Sequence, residues 1–190
     1  MLEMIYHYIE VATELLKSGG VICGILLVLL ESIIPALPLG VFIAFNINAY
    51  GLIVGILISW FGTCLGCYLA YSFFKYLSKK FFTKLLQKKK YEKIITKIKT
   101  ISFPNLVVLI ALPFTPAFLI NIACGVVNIS KKKFLTAIGI GKVFIVIFWG
   151  CIGKSLLESV TDIKTIIIVS LSILVAYFIS KLVSKKLDIE

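Results

Sequence analysis

Arginine is absent: all 20 basic side chains among the 190 residues are Lys. A nucleic-acid reader favours Arg, whose planar fork meets base edges and phosphates bidentately, so the basic charge argues against nucleic acid as a partner. Acid is scarce too, with 9 Asp and Glu, and His7 is the single His. No nucleophile–base pair, metal-ligand spacing or phosphate-cradling glycine loop is present, so no catalytic residue, metal or cofactor is expected. The five Cys, namely Cys23, Cys64, Cys67, Cys124 and Cys151, all lie inside apolar runs. Cys64-Leu65-Gly66-Cys67 has redox-motif spacing but no polar neighbour in sequence to activate a thiol, so packing is expected. A basic n-region is also missing before the first apolar run, so no cleavable signal peptide is expected. Charged residues make up 15% and apolar ones 60%, with a mean hydropathy of +1.07. A soluble domain needs far more polar surface, and a disordered chain far less apolar content. An all-α integral membrane protein remains.

Residues 3–17 place Ile5, Ile9, Ala12 and Leu16 at helical spacing, with Glu3, His7, Glu10, Glu14 and Lys17 largely elsewhere on the wheel. This predicts an interfacial amphipathic helix over 1–18, with Tyr6 and Tyr8 at headgroup level, ended by Ser18-Gly19-Gly20. The apolar stretch 21–50 is interrupted by Pro35 and Pro38, which a helix cannot absorb without losing backbone hydrogen bonds. Its arms, 21–34 and 39–49, are about 21 and 16 Å long at 1.5 Å per residue. Both fall short of the roughly 30 Å of bilayer hydrocarbon, so a re-entrant hairpin is expected. Residues 51–74 carry no charge and are long enough to span. Their stripe Gly62-x-x-x-Gly66-x-x-x-Ala70 is expected to pack closely on another helix.

The segment 75–100 holds ten Lys and one Glu among Phe81, Phe82, Leu85 and Leu86. It predicts a basic amphipathic segment on a membrane surface, where it attracts anionic lipid. Residues 103–127 repeat the earlier pattern, with arms 103–112 and 117–127, each about 15 Å long, meeting at Pro113-Phe114-Thr115-Pro116. A second span over 134–153 and a C-terminal transmembrane helix over 165–183 complete the chain. The reading is therefore two re-entrant hairpins, three full transmembrane helices and interfacial amphipathic helices.

Lys-rich loops stay in the cytoplasm. With 75–100 inside, Lys131, Lys132, Lys133, Lys181, Lys185 and Lys186 all fall on the same side without forcing. The first hairpin then enters from outside and the second from inside. Two oppositely facing hairpins make an inverted repeat, a design that places a site near the midplane between its halves.

Few residues in these runs carry chemistry. Glu31 is the only acid between Lys17 and Lys75; a carboxylate at that depth is costly unless protonated, paired or wetted, which suits a proton or substrate pathway. The plainer alternative is a carboxylate that caps broken backbone. Lys142 lies eight residues past Phe134, about 12 Å into its span. It either snorkels to the surface or is a buried cation that pairs with Glu31 or meets an anionic headgroup. Asn121 and Thr115 in the second hairpin, and less so Asn46 and Asn48 in the first, either bond freed backbone or line a cavity.

Several of these residues resemble a known family. Leu30-Glu31-Ser32-Ile33-Ile34-Pro35-Ala36-Leu37-Pro38-Leu39-Gly40 is similar to the Glu-x-x-x-Pro-x-x-Pro signature of the DedA/VTT-domain superfamily, the SNARE-associated Golgi proteins. Gly62-x-x-x-Gly66-x-Tyr68 resembles its glycine-rich span. Leu112-Pro113-Phe114-Thr115-Pro116, with Asn121 and Gly125, resembles the second hairpin of the VTT branch. Phe134, Gly141-Lys142 and Gly153-Lys154-Ser155 resemble the helix that follows. The resemblance covers about residues 20–157. It implies a fold with two opposed re-entrant hairpins and a role in lipid translocation. Bacterial members of the family move undecaprenyl phosphate or phospholipids, and eukaryotic members scramble phospholipids. The family's acidic hairpin residue carries over to Glu31. Bacterial DedA proteins usually have Arg around the second hairpin and an Asp in the glycine-rich span; here Arg is absent and Cys67 follows Gly66.

The expected function is movement of a lipid headgroup, as a flippase or scramblase in the cell membrane, through a polar gap between the hairpin tips. The prolines hold the gap open, Glu31 titrates and Lys142 meets a phosphate. A small-solute or ion transporter of the same architecture, and a non-transporting membrane organiser using the 75–100 segment, are the alternatives. The charge pattern makes one testable statement. Single-Cys variants in 75–100 and at the C-terminus should be shielded from an impermeant thiol reagent added to intact cells. Variants in 155–163 should label; labelling of 75–100 from outside would overturn this topology.

Overall fold

The computed structural model describes residues 2–34, 39–86, 97–115, 117–158 and 163–186. Among these, every regular element is helical, as it must be where no water is available to complete backbone hydrogen bonds. The helices are α1 (Leu2–Ile33), α2 (Leu39–Tyr50), α3 (Leu52–Leu86), α4 (Phe103–Ala111), α5 (Ala117–Val126), α6 (Lys131–Glu158) and α7 (Ile163–Lys186). Residues 97–100 form a further helical turn.

The stop expected at Ser18-Gly19-Gly20 is present as a kink where two helices meet. Gly20 takes φ 65° and ψ −175°, a left-handed conformation open to a residue without Cβ, and the helix resumes directly. The Tyr50 hydroxyl lies 2.6 Å from Leu16 O and 2.7 Å from Gly20 O, covering carbonyls around the kink. With helix resuming directly past Gly20, four stretches are long and apolar enough to cross a membrane, one more than expected. They are Thr13–Ile33, Leu52–Leu77, Lys131–Gly153 and Ile163–Lys186. The charged ends also prolong the spans: α3 runs on to Leu86, into the basic segment, and α6 starts at Lys131.

The remaining helices are short. α2 has 12 residues, α4 has 9 and α5 has 10, or about 18, 14 and 15 Å. Leu112 ends α4 in an extended conformation, Pro113 and Phe114 form a turn, and Thr115 N–H donates to Leu112 O at 3.3 Å. The expected break at Pro113 is thus present. Pro35, Pro38 and Pro116 lie outside the described residues, as do residues 87–96 of the basic segment.

Packing follows a repeated plan. α1 lies on α3, and α4 lies on α6. The second short helix of each half also reaches the other half's long helix: α2 packs on α6 as well as on α1 and α3, and α5 packs on α3. α3 and α6 also pack on each other, whereas α7 packs chiefly on α6.

Small residues make these approaches possible. A Cβ at Gly62 would stand 2.4 Å from Val28 Cγ2 and 2.8 Å from Ile25 O. One at Gly66 would meet Ser32 Cβ at 2.7 Å and Leu29 O at 2.8 Å. The stripe on α3 is therefore the seat of α1, as its spacing indicated. Gly141 on α6 does the same for α4, where a Cβ would meet Ile110 Cγ2 at 2.7 Å.

Two apolar cores result. One gathers Cys67, Tyr71, Leu106, Ile120, Cys124 and Phe134, with the Tyr71 and Phe134 rings stacked 4.3 Å apart. The other gathers Val28, Ile43, Ile47, Ile145 and Val146. Asn46 ties the second core to the helices around it, its Nδ2 donating to Gly24 O at 3.1 Å and Ser59 Oγ at 3.0 Å.

Overpacking a close helix contact costs about 1–3 kcal/mol. Gly66→Leu should therefore lower the unfolding midpoint of the detergent-solubilised protein clearly. Gly139→Leu, where a Cβ meets nothing within 4 Å, should change it little. Equal behaviour of the two variants would contradict the seating of α1 on α3.

Candidate functional site

The last turn of α1 is pinned to α3. Ser32, 2% exposed, donates from Oγ to Thr63 O at 3.3 Å, and the Cys67 thiol lies 3.8 Å from the same Oγ. Cys64, one helical step away, donates from its thiol to Ile138 O at 3.8 Å. Trp60 Nε1 donates to Gly139 O at 2.9 Å, so α6 is fixed against this same face of α3.

Lys142 enters from α6. It is 1% exposed, so it does not snorkel to the surface, and its Nζ has no hydrogen-bond partner. The ionisable side chains close enough to act on it are Glu31 and the thiols of Cys64 and Cys67, of which Glu31 is the one that carries charge as a carboxylate. Glu31 in turn feels Lys142, and Glu31 Oε2 is likewise buried without a partner. The acid of α1 and the base of α6 are therefore brought together against the two thiols of α3, with no hydrogen bond closing between them. A buried ammonium without hydrogen bonds is costly. The field of Glu31 offsets part of that cost, and an anion reaching Nζ would offset more.

The second break carries the same signature. Thr115 Oγ1 and Asn121 Nδ2 are buried without a hydrogen-bond partner, and Asn121 is 2% exposed. These atoms bond no freed backbone and make no hydrogen bond to the Glu31–Lys142 group. Among the described residues, the other buried side-chain atoms left without a partner are Asn46 Oδ1 and Ser180 Oγ. Asn46 and Asn48 act as ties instead: Asn48 Nδ2 donates to Thr13 Oγ1 at 3.1 Å.

Sequence reasoning missed Ser32, Cys64 and Cys67 as neighbours of the charged pair. The Cys-x-x-Cys spacing was visible, but with no polar neighbour in sequence it read as packing. Their polar neighbour is Lys142, on another helix and far away in sequence. All five cysteines are free. Among the described residues, no three His, Cys, Asp or Glu side chains gather to hold a metal.

A family model for the VTT domain matches residues 34–155, well over half of the chain. The match takes in Thr115, Asn121 and Lys142 and begins three residues after Glu31. The chain is also 31% identical over 196 aligned residues to YhjE of Bacillus subtilis (strain 168), an uncharacterized membrane protein. That alignment covers 100% of this chain and 94% of YhjE. No solved structure matches the chain.

The electrostatic pairing is measurable. Lys142→Met leaves Glu31 buried without its counter-charge, and removing one partner of a buried pair costs about 3–5 kcal/mol. Adding Glu31→Gln should recover part of the loss, with a coupling of about 0.5–3 kcal/mol in a double-mutant cycle of unfolding free energies. Strictly additive losses would mean that the two groups do not interact.

Proposed function

The chain belongs to the VTT-domain family, and on that premise we propose that it carries a lipid headgroup across the membrane, with no chemical step of its own. The observation that carries the reading is Lys142, a fully enclosed ammonium without a hydrogen bond, facing Glu31 where three helices meet. An unpaired ionisable group at membrane depth marks a substrate or ion pathway by default. Lys142 offers three donors to a phosphate-bearing, anionic headgroup. Glu31 balances it when the headgroup is away. The tails remain in hydrocarbon throughout.

The short helices support a re-entrant reading of both breaks. Neither α4 nor α5 reaches across the hydrocarbon, and their turn at Pro113 then lies within it. In the same reading the part of α1 beyond Gly20 and helix α2 form the opposing hairpin, entering from outside. The crossed packing, α2 on α6 and α5 on α3, suits two halves related by an inverted repeat. The 75–100 segment and the C-terminus face the cytoplasm on charge grounds.

The test is purified protein in vesicles carrying leaflet-specific fluorescent phospholipid. Wild type should exchange the probe between leaflets, and Glu31→Gln, nearly identical in shape, should slow exchange about tenfold or more, equivalent to about 1.4 kcal/mol of barrier. Exchange at the wild-type rate in Glu31→Gln would leave that residue a structural role alone. If no lipid moves but a small solute does, the transporter of the same architecture takes its place.

A further inference from the structure

A separate cavity lies beside the second break. A groove of about 530 Å³ is bounded by Leu112 and Pro113 at the end of α4, Phe144 and Phe148 on α6, and Val175 and Ile179 on α7. Its one hydroxyl-bearing side chain, Ser172, donates to Ile168 O at 2.8 Å on its own helix. The groove walls therefore present hydrocarbon to any occupant. α7 buries only 11% of its apolar window and is steadied at the break by Phe114, whose ring meets Tyr177 edge-on at 5.7 Å.

We propose that this groove is a binding site for the hydrocarbon chains of a single lipid. The size decides between occupants. Along α7 the lining runs from Leu171 to Ile179, about 12 Å at helical rise. The volume then corresponds to a cross-section of roughly 45 Å², against roughly 80 Å² for a helix about 10 Å across. A helix of a second copy does not fit. Roughly eighteen methylenes do, taking about 30 Å³ each, close to the liquid share of a water molecule. A polar solute finds walls that are almost wholly apolar, with Ser172 their one hydroxyl-bearing side chain.

Location gives the groove its use. Pro113 lines it, and two residues further on the Thr115 hydroxyl is buried without a partner. A lipid whose chains occupy the groove brings its headgroup to the second break. This deepens the headgroup-transport reading and rests on it for its purpose, but the binding itself does not require transport. It adds a chain-selective element: the tails are gripped by α6 and α7 instead of remaining in bulk bilayer.

The experiment uses full-length protein in vesicles of phosphatidylcholine and phosphatidylglycerol, doped with a phosphatidylcholine bearing a diazirine in mid-chain. After irradiation, adducts are mapped by mass spectrometry. They should concentrate on 144–148 and 171–179, relative to the exposed α3 face of Ile53, Leu57 and Phe61. Ala176→Trp and, separately, Ser172→Phe put side-chain volume into the groove where an acyl chain would lie. Both variants should lose the 171–179 adducts while keeping those on α3. Equal adduct density on α3 and α7, or unchanged labelling in both filled variants, would overturn the proposal. Specific labelling in a wild-type protein that moves no lipid would refute the transport reading and leave the groove standing.

Discussion

Hydrocarbon offers no hydrogen bonds, and that single property organises this molecule. Every buried polar group must find a partner within the chain, or its cost is borne by the rest of the fold. Most of the chain obeys. The kink at Gly20 is covered by the Tyr50 hydroxyl, Ser32 bonds Thr63 O, and Asn46 joins α1, α2 and α3. The Tyr71 hydroxyl, 2.6 Å from Ile129 O, closes the end of the second short helix pair. Against this background the exceptions are few. Glu31, Lys142, Thr115 and Asn121 each keep a buried polar atom without a partner, as do Asn46 and Ser180 among the described residues; Glu31 and Thr115 lie beside the two breaks, whereas Lys142 and Asn121 lie within α6 and α5.

The fold positions these exceptions by close packing. Gly62 and Gly66 let the end of α1 lie directly on α3, so Ser32 and Glu31 arrive beside Cys64 and Cys67. Gly141 lets α4 approach α6, and the next residue is Lys142. A larger side chain at any of these glycines would push apart the backbones that bring acid and base together. Stability and site are thus set by the same contacts, and the cost of an incompletely paired ammonium is carried by two apolar cores on either side of it.

Much of this was legible from residue order. Apolar runs at spanning length gave α3, α6 and α7, and the glycine stripe gave a close helix contact, which α1 fills. Pro113 gave the break between α4 and α5. Lys142 and Glu31 stood out because charge inside such runs is rare and expensive. The sequence did not reveal that a second helix starts directly after Ser18-Gly19-Gly20, so that the two follow one another across a kink. That outcome depends on Tyr50, some thirty residues away, supplying hydrogen bonds to the kink. Nor did it reveal the thiol setting of Lys142, since Cys64 and Cys67 read as packing until α6 is laid against α3. The groove beside α7 was equally hidden, because it arises from how loosely α7 rests on α6 and not from any motif.

The central claim is that the buried acid–base pair exists for an anionic headgroup and not for the fold. Leaflet exchange of a fluorescent phosphatidylglycerol by the Glu31→Gln/Lys142→Met double variant tests this most directly, because both charges are removed together and neither is left stranded. The account predicts a folded protein, more stable than Lys142→Met alone, that no longer exchanges the lipid. A folded double variant that exchanges phosphatidylglycerol at the wild-type rate would contradict it.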